Sequence, residues 1–177
     1  MAIEKVQVVG AGQMGSGIAQ VAAQAGLAVH LADVDQEMVE HGLKMIKENL
    51  SSSVNKERIS QEEMDEALAR IESGTEYASD ADLAIEAVTE TKDVKTEVFQ
   101  ALDEQLKDEA ILASNTSSLA IAELAAQTNR PEKFIGMHFF NPVPVMKLVE
   151  IIRGLETSDE TYEAVRELGE RMGKKPV

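Results

Sequence analysis

The sequence predicts an α/β fold, with helices on both faces of a doubly wound, mostly parallel sheet. Short apolar runs rich in β-branched residues alternate with longer segments of helical periodicity, and this alternation is typical of βαβ units. A glycine-rich turn follows the first predicted strand and opens the first predicted helix. The length of 177 residues is that of one domain, and we assign residues 1–177 to it.

The predicted elements follow one another along the whole chain. Strands are expected at the apolar runs Lys5–Val9, Val29–Ala32, Leu83–Ala87, Ile111–Ser114, Phe134–His138 and Leu148–Ile152. Helices are expected at the periodic segments Gly15–Ala25, Gln36–Leu50, Gln61–Arg70, Thr91–Leu106, Leu119–Gln127 and Ser158–Met172. Segment 51–60 (SSSVNKERIS) is predicted to be a mobile connection. The ending GKKPV indicates a turn into another strand, so we expect the chain to be a fragment of something longer.

The composition excludes several classes of protein. A formal net charge of −15 argues against nucleic-acid binding, and no apolar run is long enough for a membrane span. The chain has no cysteine, so it has neither disulfides nor thiolate chemistry, and its start lacks the pattern of a signal peptide. We therefore expect a cytoplasmic protein. An anionic ligand would need helix N-termini or a few placed lysines.

A dinucleotide site is predicted at the glycine-rich turn VVGAGQMGSG, where Gly10, Gly12 and Gly15 have G-x-G-x-x-G spacing. Gly10 would allow the tight turn, Gly12 would let a pyrophosphate approach the backbone, and Gly15 would let the helix pack on the sheet. The pyrophosphate would lie at the helix N-terminus, in contact with Gln13 and Met14. A simpler interpretation is that the glycines serve only a tight turn.

An acid at the end of the second predicted strand favours NAD as the cofactor. Asp33 would accept hydrogen bonds from the adenine ribose hydroxyls. A carboxylate there would repel a 2′-phosphate, and no arginine lies nearby in the sequence, so NAD is preferred over NADP. Alternatively, Asp33 caps the following helix. Asp35 is a second candidate for the ribose, although it suits the helix cap better.

A titratable ring lies in the apolar run GMHFFNPVPVMKLVE (136–150). His138 is predicted at the carboxyl end of a strand, where ligands gather in such sheets. The next strand contains or begins at Glu150, and the turn between the two strands could bring imidazole and carboxylate together. A carboxylate on one ring nitrogen fixes the tautomer and leaves the other nitrogen for an acid–base reaction. A buried core histidine and a surface glutamate at a strand edge are the alternative interpretation. His30 and His41 are not assigned to a site.

Three stretches resemble the L-3-hydroxyacyl-CoA dehydrogenases, including the bacterial 3-hydroxybutyryl-CoA dehydrogenases. They are GAGQMGSGIAQ at the glycine turn, SNTSSL at 114–119 and GMHFFNPVPVMKLVEII at 136–152. The resemblance covers essentially the whole chain and implies a Rossmann-type NAD domain. It also implies that a smaller helical domain, which supplies dimer contacts and part of the acyl-CoA site, is missing here. The expected reaction interconverts L-3-hydroxyacyl-CoA and 3-oxoacyl-CoA with NAD and NADH, with short-chain substrates, in fatty-acid or butanoate metabolism.

The same resemblance implies roles for individual residues. His138 would be the acid–base group, Glu150 would orient it, and the Ser117 hydroxyl would hold the substrate C3 oxygen. Cofactor contacts are implied for Glu90, Lys95, Asn115 and Asn141, and a CoA contact for Lys56. Other interpretations stay open, because Glu90, Lys95 and Lys56 also suit an ordinary solvated surface, and Ser117 or Ser118 could cap a helix. No metal ligand set is predicted.

Two further classes of protein share parts of this pattern. The β-hydroxyacid dehydrogenases have a similar glycine loop but depend on a catalytic lysine, where this chain has HFFNP instead. A non-catalytic NAD-binding protein on the same fold would bind NADH without turnover. We expect the complete protein to be a homodimer and these residues alone to bind NADH but turn over poorly.

Overall fold

The computed structural model describes all 177 residues and contains one eight-stranded sheet. The strands are β1 (Lys5–Val9), β2 (Ala28–Ala32), β3 (Ile71–Gly74), β4 (Leu83–Glu86), β5 (Ile111–Ser114), β6 (Phe134–Phe139), β7 (Leu148–Arg153) and β8 (Lys175–Pro176). The helices are α1 (Gln13–Gln24), α2 (Gln36–Asn55), α3 (Gln61–Ala69), α4 (Lys92–Gln105), α5 (Ile121–Ala125) and α6 (Asp159–Arg171). A short 3-10 turn covers Pro131–Lys133.

The strands lie in the order β3-β2-β1-β4-β5-β6-β7-β8. All neighbours pair in parallel except β6 and β7, which are antiparallel. The chain therefore moves outward in one direction from β1 to β3 and in the other direction from β4 onward. The boundary between β1 and β4 is the switch point at which ligands bind in sheets of this kind. The predicted doubly wound, mostly parallel α/β fold is confirmed.

The core consists of two apolar layers, one on each face of the sheet. The larger layer has 29 buried residues and holds the apolar sides of α1, α2, α3 and α6. The smaller layer has 12 buried residues and lies under α4 and α5. Central strands are buried on both faces, so they read as nearly continuous apolar runs, and this made most of them predictable. None of the helices combines the length and the apolar character that crossing a bilayer requires.

The structure corrects two predictions of secondary structure. Segment 51–60 is not an irregular connection throughout, because α2 continues to Asn55 and only the residues after it form a turn. The apolar stripe of α2 explains this, since Ile46, Leu50 and Val54 follow one another at i+4 spacing and pack on the core. Strand β3 was not predicted, because IESG is a short, largely polar edge strand.

A buried ion pair ties α4 to the start of β6. The Arg130 guanidinium donates to Asp103 Oδ1 at 2.7 Å, and the two side chains are each only 7 % exposed. It also donates to the backbone oxygens of Lys107 and Ala110, at 2.8 and 2.9 Å. Lys107 and Ala110 follow the end of α4 at Gln105, so the guanidinium provides hydrogen-bond donors to carbonyl groups of this connection, which lies outside the helix.

Replacing Phe99 with Ala is expected to lower the free energy of unfolding by about 3–5 kcal/mol. The Phe99 ring is fully buried and meets Phe134 edge to face, with 4.6 Å between ring centroids. Urea denaturation followed by circular dichroism measures the change. The control Leu155→Ala removes a side chain that is 93 % exposed, and it should change stability by less than about 0.5 kcal/mol. Equal losses in the two variants would contradict this packing.

Candidate active site

The turn between β1 and α1 brings three backbone segments into very close contact. Gly10 has φ +106°, and a Cβ on it would lie 2.5 Å from the Ala87 carbonyl oxygen. A Cβ on Gly15 would lie 1.6 Å from the Gly10 carbonyl oxygen. Both positions therefore require glycine, the first for its conformation and the second because helix α1 lies directly on the turn. Gly12, by contrast, faces open space.

The N-terminus of α1 is free to bind an anion. Gly12 is the N-cap residue, and it provides no side-chain hydrogen bond to the helix. The amides of Gln13, Met14 and Gly15 have no acceptor within the protein, and the open side of Gly12 leaves room in front of them. These residues fit a dinucleotide pyrophosphate, since free amides and the helix dipole both favour negative charge.

Asp33 belongs to the glycine turn and does not cap α2. Its Oδ2 accepts from the Ala11 amide at 2.9 Å and its Oδ1 from the Val34 amide at 2.7 Å. The N-cap of α2 is Asp35, whose side chain accepts from the Glu37 amide at 2.9 Å. The alternative in which Asp33 caps this helix is therefore wrong, and the preference for Asp35 as the cap is confirmed.

A cleft of about 340 Å³ opens between the glycine turn and β4. Its walls are mostly apolar, and Asp33 is its only charged residue. The lining residues are Val9, Gly10, Gly12, Asp33, Val34, Met38, Thr75, Tyr77, Ala87, Val88, Thr89, Val94 and Val98. An apolar slot with a single carboxylate at its edge suits a flat aromatic ring attached to a hydroxyl-bearing sugar.

His138 and Glu150 are cross-strand partners in the antiparallel pair β6–β7. His138 Nδ1 lies 3.1 Å from Glu150 Oε1, and the side chains are 19 % and 44 % exposed. Nε2 makes no hydrogen bond within the protein, and the ring lines a cleft. The Phe140 ring stands beside the imidazole, 4.8 Å away between centroids. The structure thus brings the two predicted groups together and leaves one ring nitrogen free.

A second cleft, of about 320 Å³, collects most of the other predicted residues around His138. Its lining residues are Met14, Ala87, Val88, Glu90, Lys95, Asn115, Ser117, His138, Phe139, Phe140 and Asn141. They come from the carboxyl ends of β4, β5 and β6 and from the first turns of α1 and α4. Met14 lines this cleft and is only two residues after Gly12, so the second cleft adjoins the glycine turn.

Glu90 organises the turn that follows β5. Its Oε1 accepts from the Thr116 hydroxyl at 2.7 Å, and its Oε2 accepts from the Ser117 amide and hydroxyl at 2.9 and 3.0 Å. Partial burial alone would raise the pKa of Glu90. The hydrogen bonds from Thr116 and Ser117, together with the positive charge of Lys95, outweigh that effect and lower the pKa of Glu90 to about 2. Glu90 is therefore a fixed negative charge at neutral pH.

Neither Ser117 nor Ser118 caps helix α5. The Thr116 hydroxyl oxygen instead accepts from the Leu119 amide at 3.0 Å, and the N-cap residue Ala120 has no side-chain bond. The capping prediction was wrong because the Thr116 side chain, and not a serine side chain, bonds to the backbone ahead of α5. Ser117 is left on the cleft side, bonded only to Glu90.

Asn115 joins β5 to β6 at the cleft. Its Oδ1 accepts from the Phe139 amide at 2.8 Å, which leaves its NH₂ group unused by the protein. Asn141 lines the same cleft from the connection between β6 and β7. That connection is held from outside the cleft, where the Lys174 ammonium donates to the carbonyls of Val143 and Met146.

The predicted site residue Lys56 and the two unassigned histidines lie away from the His138 cleft. Lys56 is exposed at the C-terminal end of α2 and lines neither cleft. His41 is exposed on α2, and His30 lies in β2, where its Nδ1 is buried without a partner. Burial lowers the pKa of His30.

Sequence reasoning missed Glu86, the last residue of β4. Its carboxylate is fully buried and forms an ion pair with Lys95, whose side chain is 2 % exposed. The solvated-surface interpretation of Lys95 is therefore wrong. A signal was present, because Glu86 closes the otherwise apolar run LAIE, and a buried acid requires a partner.

Residues 5–177 match the family model described as "3-hydroxyacyl-CoA dehydrogenase, NAD binding domain". The chain belongs to this family. The glycine turn, the free helix N-terminus and Asp33 accordingly belong to an NAD-binding domain, and NAD is the cofactor.

Among curated relatives, a probable 3-hydroxybutyryl-CoA dehydrogenase of Bacillus subtilis is 52 % identical, over 100 % of this chain and 62 % of its own length. A 3-hydroxybutyryl-CoA dehydrogenase of Bradyrhizobium diazoefficiens is 49 % identical, over 97 % of this chain and 59 % of its own length.

Solved structures of 3-hydroxybutyryl-CoA dehydrogenases have the same fold. The (S)-3-hydroxybutyryl-CoA dehydrogenase of Ralstonia eutropha has a TM-score of 0.96 at 45 % identity and is matched over 63 % of its chain. The 3-hydroxybutyryl-CoA dehydrogenase of Escherichia coli K12 has a TM-score of 0.97 at 40 % identity and is matched over 38 %. This chain thus spans less than two thirds of the length of these family members.

The Glu90→Gln variant is expected to lose its stability difference from the parent as the pH falls. The pKa of Glu90 is 4.5 unperturbed and about 2 in the folded protein. The carboxylate therefore stabilises the fold fully above pH 4.5, and this contribution disappears as the pH falls toward 2. Urea midpoints of the two proteins measured between pH 7 and pH 2.5 should converge. A difference that stays constant over that range would contradict the hydrogen-bonded carboxylate.

Proposed function

We propose that this chain carries the cofactor-binding and acid–base part of an NAD-dependent L-3-hydroxyacyl-CoA dehydrogenase. The observation that carries the proposal is the His138–Glu150 pair at 3.1 Å, with its free nitrogen in a cleft beside the glycine turn. The reaction interconverts an L-3-hydroxyacyl-CoA and a 3-oxoacyl-CoA. Short acyl chains are favoured because several close relatives are named 3-hydroxybutyryl-CoA dehydrogenases.

His138 moves the substrate proton in this proposal. When an alcohol is oxidised, Nε2 takes the hydroxyl proton, while Glu150 on Nδ1 holds the ring orientation and stabilises the imidazolium that forms. In the reverse direction the imidazolium returns the proton to the new alcohol oxygen. Bound NAD supplies the hydride acceptor, and NADH the donor, for the C3 carbon.

Ser117 orients the C3 oxygen. Its hydroxyl donates to Glu90 in the free protein, but its backbone amide donates to the same carboxylate oxygen. The hydroxyl is therefore able to rotate toward substrate while Glu90 keeps two donors. Asn115 and Asn141 offer amide groups to the nicotinamide end of the cofactor, and Lys56 offers a positive charge to the CoA moiety.

The complete protein has a second domain, forms a homodimer and is located in the cytoplasm in this proposal. Because the relatives are longer, we infer that a helical domain completes the acyl-CoA site and supplies the dimer surface. A cytoplasmic location suits an enzyme of acyl-CoA metabolism. A chimera that continues this chain into the C-terminal part of the Bacillus subtilis relative provides the complete site, and the 177 residues alone are expected to bind NADH and turn over slowly.

Replacing His138 with Gln in the chimera is expected to reduce acetoacetyl-CoA-dependent oxidation of NADH by about 10²–10⁴-fold. Glutamine fills the space of the ring without exchanging a proton, so the NADH dissociation constant should stay within about twofold. Absorbance at the NADH band and fluorescence titration give the two values. The control His41→Gln changes an exposed histidine on α2 and should leave both unchanged. If the unmutated chimera binds NADH but leaves all 3-oxoacyl-CoAs untouched, the alternative of a non-catalytic NAD-binding protein replaces this proposal.

The variant Asp33→Asn tests the preference for NADH. Removing the negative charge should strengthen NADPH binding relative to NADH by about tenfold, because the carboxylate repels a 2′-phosphate. The two dissociation constants are measured by fluorescence titration at constant ionic strength. Asp35→Asn is the matched control, since asparagine also caps helices and Asp35 serves α2. A ratio that changes equally in both variants would argue against the assigned role of Asp33.

A further inference from the structure

The carboxylate of Glu86 is buried next to the His138 cleft and accepts hydrogen bonds from three donors. Its side chain is fully buried at the carboxyl end of β4. Oε1 accepts from the Ser114 hydroxyl at 2.6 Å, and Oε2 accepts from the Val88 amide at 2.8 Å and from the Lys95 ammonium. A buried carboxylate loses its hydration, and the ion pair and hydrogen bonds to Glu86 offset that loss.

Lys95 connects this buried carboxylate to the cleft. It enters from the first turn of α4 and lines the same cleft as His138. Its ammonium donates to Glu86 and to the Val88 carbonyl at 3.2 Å, and it lies 3.5 Å from Glu90 Oε1. One lysine thus bridges a fully buried acid and a cleft acid.

The polar groups close into a ring. Ser114 donates to Glu86, Lys95 bridges Glu86 and Glu90, and Thr116 donates to Glu90. The Thr116 amide completes the ring by donating to the Ser114 hydroxyl oxygen at 3.2 Å. The ring links the carboxyl end of β4 to that of β5. Ser117 is attached to it through the hydrogen bonds that its amide and hydroxyl donate to Glu90.

We propose that Glu86 is a positioning residue that acts through Lys95 to hold Glu90 and Ser117 in place for cofactor and substrate. The proposal rests on the proposed function, because it assigns Glu86 to the same cleft. Glu86 itself faces neither ligand. It fixes the ammonium group of Lys95, and that group fixes the carboxylate on which the Ser117 amide and hydroxyl converge.

Stability alone does not account for this pair. Buried ion pairs contribute little net stability compared with apolar residues of the same size, because both charges lose their hydration. The pair Asp103–Arg130 shows what a structural ion pair does here, since it serves the carbonyl groups after α4 and lines no cleft described above. The Glu86 ring differs in that three of its members, or their direct neighbours, face the His138 cleft, namely Lys95, Glu90 and Ser117.

The test is a double-mutant cycle on NADH binding by the 177-residue chain. Glu86→Gln keeps the shape of the side chain and removes its charge, and it should raise the NADH dissociation constant by about tenfold, the size of one charge-assisted hydrogen bond. Lys95→Met should have a similar effect. If Glu86 acts through Lys95, the double variant binds NADH no more weakly than Lys95→Met alone.

Two further variants separate this role from folding. Asp103→Asn weakens the other buried pair, so it should lower the urea midpoint while leaving NADH binding unchanged. Ser114→Ala opens the ring without removing a charge and should weaken NADH binding by about two- to fivefold, which keeps the test informative if Glu86→Gln does not fold.

Three results would overturn the proposal. They are unchanged NADH binding in Glu86→Gln, unchanged binding in Ser114→Ala, and additive losses in the double variant. The proposed function fails separately, when the chimera shows no turnover although NADH binding still depends on Glu86 through Lys95.

Discussion

The contact between the glycine turn and the start of α1 is the constraint on which the rest of the structure depends. The Gly10 backbone lies against Ala87, and Gly15 lies on the carbonyl of Gly10, so no atom beyond the backbone fits at either place. This contact fixes the axis of α1 relative to β1 and β4. Its direction aims the free amides of the helix at the switch point of the sheet, and it brings Met14 into the His138 cleft. This backbone packing therefore contributes to the walls of both clefts.

The site meets an anionic cofactor with little positive charge, on a chain whose net charge is −15. Backbone amides at the N-terminus of α1 supply directed partial charges, which need no cationic side chain. The one lysine in the His138 cleft, Lys95, lies between the carboxylates of Glu86 and Glu90. Its charge is therefore neutralised, and it positions these side chains more than it attracts an anionic cofactor. Acidic side chains elsewhere on the surface keep other polyanions away, which favours selectivity over strength of binding.

Much of the fold and part of the site could be predicted from the sequence. Buried strands such as β1 and β5 were predictable because they are apolar on both faces, whereas β3 is short, polar and at the edge. The pairing of His138 with Glu150 was predictable because two strands joined by a short proline-containing turn can lie side by side and bring the two side chains together. The ring around Glu86 was not, because it joins the ends of β4 and β5, and their distance depends on the whole sheet. A side chain such as Ser117, with two possible hydroxyl partners, also gives no sign in the sequence of which one it uses.

The antiparallel register of β6 and β7 has a consequence for how this domain tolerates insertions. His138 faces Glu150 because the two residues are directly opposite in the ladder, with Met137 opposite Ile151 and Phe139 opposite Val149. Side chains alternate between the faces of a sheet, so a slip of one residue would turn the carboxylate to the other face. Changes of length in the exposed part of the connecting loop leave this alignment intact, while a single deletion inside either strand abolishes it. The acid–base pair therefore depends on the register of the two strands, and changes of length among natural sequences should be permitted in the exposed part of the loop and forbidden in the strands.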